Sequence, residues 1–254
     1  MQFLEQFTLT NKLSGVSGKL KTLFAVLTLL VCSFSTAYIV PLLVFCIMLT
    51  VTVVVAGIPP RFYAKLMFAP ASFGLVTFVL MLFFLGKEPL FSIHAGNLTL
   101  TATKDGFDMA LISVGRMLGS VSCLLFLALT TPMADIFAVL KKLKLPDVFI
   151  DLSMLIYRYI FLLVQEALRM EYAQKMRLGY SDVKGSFRAL SLLAGNLFVR
   201  SWDNADKMLI AMNSRGYEGV INVLEDDSPI QRMHLLGLVG FELVLVSLNL
   251  ALLG

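Results

Sequence analysis

The chain has 254 residues with a formal net charge of +4, and 58% of the residues are hydrophobic while only 15% are charged. A soluble domain carries about a quarter charged and about half apolar residues, so this balance indicates a polytopic membrane protein. The small net charge requires no nucleic-acid partner, because the positive residues follow the membrane topology.

Apolar segments long enough, or nearly long enough, for membrane helices follow one another along the chain. About 20 apolar residues are needed to cross a bilayer. The segments are 20–34, 37–57, 66–86, 109–129 and 235–253. The polar segment 87–107 between the third and the fourth predicts a loop or a short hairpin. The expected fold is therefore all-α with about five transmembrane helices, and 147–164 is apolar enough to leave that number open.

Lysine and arginine set the expected orientation. They are frequent near the amino terminus and throughout 132–232, whereas the opposite side holds only Lys87 and Lys104. Because short cytoplasmic segments are enriched in basic residues, the amino terminus and 132–232 are predicted to be cytoplasmic and the carboxyl terminus to lie outside. The chain then divides into transmembrane helices 1–4 (1–130), a cytoplasmic region (131–231) and a last transmembrane helix (232–254).

The cytoplasmic region predicts a short helix and two long amphipathic helices. The short helix follows Thr131-Pro132, because proline suits a first helical turn. The first long helix begins near Asp147 and carries a polar stripe on one face: Asp151, Arg158, Gln165 and Arg169. The second covers 187–214 and is expected to bury one apolar face, made of Leu190, Leu193, Leu197, Ala205, Met208 and Met212.

Both long helices end in similar sequences that contain an arginine. The first ends in Met176-Arg177-Leu178-Gly179-Tyr180 and the second in Ser214-Arg215-Gly216-Tyr217. Glycine is expected to take the left-handed conformation that ends many helices, because it has no Cβ. The arginines lie 38 positions apart (215 minus 177). We interpret the two ends as a pair of contact points for a cytoplasmic partner, with contact to anionic lipid headgroups as the open alternative.

No pattern typical of catalysis is present, so the chain is not expected to be an enzyme or to hold a cofactor or a metal. A phosphate-binding loop requires GxxxxGK followed by Ser or Thr, but Gly18-Lys19 and Gly86-Lys87 are followed by Leu20 and Glu88. Cys32, Cys46 and Cys123 lie in apolar segments and are predicted to be small buried hydrophobes. The acidic run 225–227 is interpreted as a solvated turn.

Three segments resemble one family. They are Tyr157-Arg158-Tyr159-Ile160-Phe161, the sequence around Arg177, and Ala211-Met212-Asn213-Ser214-Arg215-Gly216-Tyr217. Over about residues 132–220 the sequence resembles the T component of energy-coupling-factor transporters, most closely the CbiQ type of cobalt uptake systems. The chain departs from that family by having Met176 and Ser214 where alanine precedes the arginine. It also has Ser17-Gly18-Lys19 where Asp-Pro-Arg is frequent.

The resemblance implies a non-catalytic scaffold in the cell membrane, whose coupling helices dock into two ABC ATPase subunits of the CbiO type. It implies that Arg177 and Arg215 make those contacts, flanked by Met176, Leu178, Ser214 and Gly216. A CbiM-like membrane subunit would capture the substrate, which the resemblance suggests is cobalt. The alternatives are nickel or vitamin uptake, or an ordinary ABC permease that itself lines the translocation path.

Two charged residues lie inside predicted spans. Arg116 lies in the fourth span and Glu242 in the last, at depths that differ by about one helical turn. An unpaired charge within a bilayer costs roughly 2.5–3.5 kcal/mol on insertion scales, so we predict that these two side chains form an intramembrane ion pair. The alternative is an Arg116 that extends towards the outer surface and a protonated Glu242.

Overall fold

The computed structural model describes residues 8, 11–13, 15–85, 89–95, 98–142, 145–217 and 232–251. The described part is predominantly helical, as predicted. Its helices are α1 (Gly18–Phe34), α2 (Ile39–Thr50), α3 (Pro60–Phe84), α4 (Lys104–Thr130), α5 (Met133–Lys142), α6 (Asp147–Met176), α7 (Val183–Asn213) and α8 (Arg232–Ala251). A π-helical turn, Val51–Val55, continues α2. The acidic run 225–227 lies outside the described residues, as does Lys87.

The polar segment after the third span forms a hairpin, one of the two predicted possibilities. Strand β1 (Pro89–Ala95) pairs antiparallel with β2 (Leu98–Thr103). The helix α4 then begins at Lys104, five residues before the predicted start of the fourth span. Apart from this one two-stranded hairpin, the described secondary-structure elements are helices.

Local capping explains where two other helix starts differ from prediction. Helix α3 begins at Pro60 rather than near residue 66, because proline suits the first helical position. The backbone N–H that proline lacks would have no partner in the helix there, and its fixed φ is helical. Helix α7 begins at Val183 rather than 187, because the carboxylate of Asp182 accepts a hydrogen bond from the backbone N–H of Gly185 at 3.1 Å.

Two of the described helices are long and apolar enough to cross a membrane. They are α3 with 25 residues and α4 with 27. Two further apolar helical stretches are shorter, Ile39–Val55 and Leu236–Ala251.

The described residues form two compact units. The first, here called the membrane unit, extends to Ile136 and includes α8. The second, here called the coupling unit, begins at Phe137 and holds α6 and α7.

Helix α4 is central to the membrane unit and packs against α1, α2 and α3. Its residues take part in both apolar clusters of the unit, one around Cys32 and Cys123 and one around Tyr63 and Leu129. Cys46 is exposed, so the prediction that all three cysteines are buried was wrong for one of them.

Glycines allow α4 to approach its neighbours closely. Gly115 and Gly119 are both buried on α4 at a four-residue spacing that is typical of closely packed membrane helices. A Cβ atom on Gly119 would lie 2.5 Å from Cys32 Sγ and 2.9 Å from the carbonyl oxygen of Pro41. No side chain fits at that position unless the helices move apart.

Basic side chains close the carboxyl-terminal ends of α1 and α4. Lys21 of α1 is buried, and its Nζ donates to the carbonyl oxygen of Thr130, the last residue of α4, at 3.1 Å. Arg116 of α4 donates from Nε to the carbonyl oxygen of Ser35, just after α1, at 2.7 Å. The last carbonyls of a helix lack partners within it and carry partial negative charge, so a cation is stabilising there.

The amino-terminal segment contributes a further donor at the same end of α4. The side-chain amide of Asn11 donates to the carbonyl oxygen of Thr130 at 3.2 Å, and the backbone N–H of Lys12 donates to Ala56 at 3.3 Å. The segment is thus anchored to the end of α4 and to the residue that follows the π-helical turn after α2.

Arg116 and Glu242 do not form the predicted ion pair. Glu242 instead accepts a hydrogen bond on Oε1 from the hydroxyl of Thr28 at 2.6 Å. The partners of the two charged residues, Ser35 and Thr28, are seven positions apart on α1, or about 10 Å at 1.5 Å per residue. The carbonyl at the end of α1 thus takes the place that the prediction gave to the carboxylate.

Helices α6 and α7 run antiparallel in the coupling unit. The Gln174 side chain donates to the carbonyl oxygen of Ala189 at 3.0 Å, and further along the pair Arg200 forms an ion pair with Glu166. Because the second contact lies earlier on α6 and later on α7, the helices have opposite directions.

The apolar face expected to be buried on α7 is only partly covered by the described residues. Leu190 is 56% exposed, Ala205 is exposed, and Leu193, Leu197, Met208 and Met212 are only partly buried. Of the predicted polar stripe on α6, Asp151 is buried while Arg158, Gln165 and Arg169 are exposed. Two helices cannot enclose a core of their own, so the coupling unit presents large apolar side chains on its surface.

Candidate functional site

The two arginines singled out in the sequence lie at equivalent positions of two helix-ending turns. At the end of α6 the N–H of Gly179 donates to the carbonyl of Gln174 at 2.9 Å, and that of Leu178 donates to Lys175 at 3.0 Å. At the end of α7 the N–H of Tyr217 donates to Met212 at 3.1 Å, and that of Gly216 to Asn213 at 3.1 Å. Both are Schellman turns, in which these two bonds enclose one left-handed residue.

The left-handed residue is a glycine in only one of the two turns. Gly216 has φ 77°, as predicted, but in the first turn Leu178 has φ 56°. The sequence prediction for Gly179 was therefore wrong. Glycine at position 179 is favoured for another reason. A Cβ atom there would lie 3.0 Å from the carbonyl oxygen of Gln174, to which the N–H of Gly179 donates.

Alignment on the left-handed residue makes the two arginines equivalent. Arg177 directly precedes Leu178, and Arg215 directly precedes Gly216. The Gly-Tyr pairs are displaced by one position between the turns, so the arginines are the shared feature.

The six residues predicted to contact the ATPases are exposed. Met176 is 87% and Leu178 is 76% exposed, which is unusual for large apolar side chains. Arg177, Ser214, Arg215 and Gly216 are exposed as well. The hydroxyl of Ser214 is occupied, because it donates to the carbonyl oxygen of Ile210 at 2.8 Å.

Sequence reasoning missed Gln174, which holds the first turn in place. Its side-chain oxygen accepts a hydrogen bond from the hydroxyl of Tyr180 at 2.7 Å, and its side-chain nitrogen reaches Ala189 on α7. Gln174 thus fixes the turn to the next helix. The only signal in the sequence was a glutamine six residues before a tyrosine, and this spacing is too common to identify such a contact.

Each turn arginine lines a cleft together with a second arginine from the other helix. Arg177 and Arg188 line a cleft of about 490 Å³ beside the first turn. Arg158 and Arg215 line a cleft of about 300 Å³ beside the second. The structure therefore places Arg158, part of the first recognised segment, next to Arg215.

The guanidinium groups of these four arginines have no hydrogen bond or ion pair with any residue in the part of the chain that the structure describes. By contrast, Glu166 forms ion pairs with both Arg169 and Arg200 midway between the clefts. Close to the first turn, Lys175 lies 2.6 Å from Glu171, and this contact raises the pKa of Lys175. Glu166 and Glu171 are therefore paired with other basic residues and not with Arg177.

Among the described residues, no three His, Cys, Asp or Glu side chains are grouped so that they could hold a metal ion. The chemistry that the exposed turns offer is the binding of acceptor groups by guanidinium, supported by neighbouring apolar contact.

Replacing Leu178 with glycine is expected to leave the free energy of unfolding unchanged or to raise it by up to about 1 kcal/mol. The left-handed conformation costs a leucine about 1–2 kcal/mol, and the greater freedom of glycine in the unfolded chain offsets about 0.5–1 kcal/mol of that gain. The control is Leu168→Gly, at a 44% exposed site inside α6, which is expected to lower stability by about 1 kcal/mol. Thermal unfolding of the purified protein compares the two, and equal losses would contradict strain at Leu178.

Comparison with known proteins identifies the family. The family model described as the CbiQ cobalt transport protein matches residues 10–225. Uncharacterized protein MJ1089 of Methanocaldococcus jannaschii is 39% identical over 96% of this chain and 91% of its own length. A Methanocorpusculum labreanum protein named as a fused cobalt transport protein CbiMQ is 35% identical over 89% of this chain and 38% of its own length.

A third relative extends the comparison beyond proteins named for cobalt. The energy-coupling factor transporter transmembrane protein EcfT of Bacillus selenitireducens is 32% identical over 64% of this chain and 63% of its own length. The resemblance carried by the segments around Arg158, Arg177 and Arg215 is thereby confirmed. The chain belongs to the CbiQ family of cobalt transport proteins, the transmembrane T components of energy-coupling-factor transporters.

Proposed function

We propose that the protein is the non-catalytic membrane scaffold of an importer and couples ATP hydrolysis in two partner ATPases to uptake through a separate membrane subunit. The observation that carries this proposal is the pair of equivalent turns, each presenting an exposed arginine whose side chain has no intramolecular partner among the described residues. Guanidinium keeps its charge and offers a planar set of donors, which suits a contact that must persist through a cycle of movement.

The proposed topology has five spans: α1, α2 with its π-helical turn, α3, α4 and α8. The membrane helices of 1–130 and 232–254 flank a cytoplasmic region, 131–231. The excess of lysine and arginine in the cytoplasmic region and near the amino terminus supports this orientation, with the carboxyl terminus outside. The coupling unit then lies on the side where ATP is available.

Two kinds of partner follow from this role. Two turns call for two ATPase subunits of the CbiO type, one at Arg177 and one at Arg215. The relative named as a fused CbiMQ joins a CbiM part to a CbiQ part in one chain, which supports a CbiM-like subunit as the neighbour that binds the substrate. We propose cobalt as that substrate, on the basis of the family description.

An ordinary ABC permease that lines its own translocation path is the main alternative, and nickel or a vitamin is the alternative to cobalt. A permease requires polar groups along a path through the membrane unit. The charged groups Lys21, Arg116 and Glu242 instead contact helix ends or a threonine hydroxyl within the protein. This use of charge in packing favours the scaffold.

Co-expression of the chain with ABC ATPase subunits and a CbiM-like subunit tests the proposal. We expect all to purify as one complex, and we expect proteoliposomes containing it to take up radioactive cobalt only with ATP and only when the CbiM-like subunit is present. Uptake without that subunit would favour the permease. A chain that never retains the ATPases would exclude both transporter roles.

A further inference from the structure

We propose that Arg158 and Arg188 are second anchoring residues, so that each cleft of the coupling unit binds a pair of acidic side chains on an ATPase subunit. The inference rests on the proposed function and extends it from two contact arginines to four. It concerns the chemistry of the partner surface, which is expected to carry two carboxylates at each site.

The geometry of the clefts is reciprocal. The cleft at the end of α6 combines Arg177 with Arg188 from α7. The cleft at the end of α7 combines Arg215 with Arg158 from α6. Each site is therefore built from the turn arginine at the end of one helix and an arginine within the other helix. Two side chains from different helices thus form the site, rather than one charge at a helix end.

Electrostatics explains why such a cleft favours an anionic partner. Two guanidinium groups that line one cleft repel each other, and a cleft lined by one sign of charge concentrates the field there. Neither cleft includes an aspartate or a glutamate among its lining residues. A carboxylate accepts two parallel hydrogen bonds from a guanidinium, so two carboxylates satisfy one cleft.

The spacing of the clefts favours a protein partner over lipid. Arg188 and Arg215 are 27 positions apart on the chain (215 minus 188), or roughly 40 Å along a helix. Two separate sites of the same construction are what binding to one surface repeated on two subunits requires. Anionic lipid headgroups do not require a repeated construction.

The test measures the affinity for the purified ABC ATPase pair and compares the unaltered full-length chain with its variants. Arg158→Gln and Arg188→Gln are each expected to weaken binding about 10-fold and to make it less dependent on NaCl concentration, because each removes one charged contact. Arg188→Lys keeps the charge but not the planar donors, so it is expected to retain the salt dependence with a loss of about 3-fold. The matched control is Arg169→Gln, at an exposed arginine of α6 that lies outside both clefts.

Several outcomes overturn the inference. Affinity of the two variants equal to that of Arg169→Gln, with unchanged salt dependence, removes the second anchors while leaving the proposed function intact. If the two variants lose affinity for phosphatidylglycerol vesicles but not for the ATPases, the clefts are assigned to lipid. If the unaltered chain does not bind the ATPases, the proposed function itself fails. Thermal unfolding of each variant shows whether a loss of affinity comes from the folded protein.

Discussion

Replacing both Arg177 and Arg215 with alanine is expected to abolish ATP-dependent uptake while the chain remains folded. Both side chains are exposed and have no partner within the described residues, so the substitutions should change the free energy of unfolding by no more than about 0.5 kcal/mol. A hydrogen bond to a charged group contributes about 1.5–3 kcal/mol, which corresponds to a loss of about 10- to 150-fold in affinity at each site.

The two sites are expected to act together. Because one chain holds two ATPase subunits, the second contact forms at high effective concentration once the first is made. Each single variant should therefore retain some assembly, while the double variant loses the ATPases. Co-purification and proteoliposome uptake measure the two effects.

The control for this experiment is the double variant Arg61→Ala with Arg169→Ala, two exposed arginines outside the clefts. It should assemble and transport normally. If the Arg177→Ala and Arg215→Ala double variant does the same, the turns are not the coupling contacts.

Replacing Gly119 with leucine is expected to prevent the membrane unit from folding. Even the Cβ atom would lie 2.9 Å from the backbone carbonyl oxygen of Pro41, which cannot move aside as a side chain can. Extra atoms in a close-packed interior cost about 1–3 kcal/mol when they fit badly, so Gly119→Ala alone should lower stability by about that amount. Leucine adds three more carbons at the same contact and separates α4 from α1 and α2.

Gly240→Ala is the matched control, since Gly240 lies in the apolar helix α8 and a Cβ there meets no atom within 4 Å. It should be neutral or stabilise by up to about 1 kcal/mol, because alanine is the better helix former. The amount of monodisperse protein after detergent extraction and its thermal unfolding temperature report both effects. Equal behaviour of Gly119→Ala and Gly240→Ala would contradict the close helix contact.

Much of the fold follows from the sequence because its determinants are local. Pro132 directly precedes α5 and Gly216 takes the left-handed position after α7, and each acts within one turn of the helix that it starts or ends. Arg177 and Arg215 could be found for the same reason. Each belongs to a short segment whose meaning does not depend on the rest of the chain.

The features that could not be predicted depend on distant contacts. Leu178 takes the left-handed position because Gln174, Tyr180 and Ala189 together hold the turn, and no pattern in the sequence reveals that network. The partner of Arg116 is a backbone carbonyl, which every residue carries and which no residue type can signal. The exposure of Leu190 was missed because an apolar periodicity indicates that a face is covered without indicating what covers it.

The hydrogen bonds at the ends of α1 and α4 fix how these two helices can slide. Lys21 of α1 reaches the last residue of α4, while Arg116 of α4 reaches the residue after α1. Each helix thus donates one side-chain hydrogen bond to the end of the other, and the two bonds lie near opposite ends of α1. A displacement of one helix along the other by a single turn, about 5.4 Å, would break both bonds at once. A rearrangement that preserves the two bonds therefore moves α1 and α4 together as one rigid body.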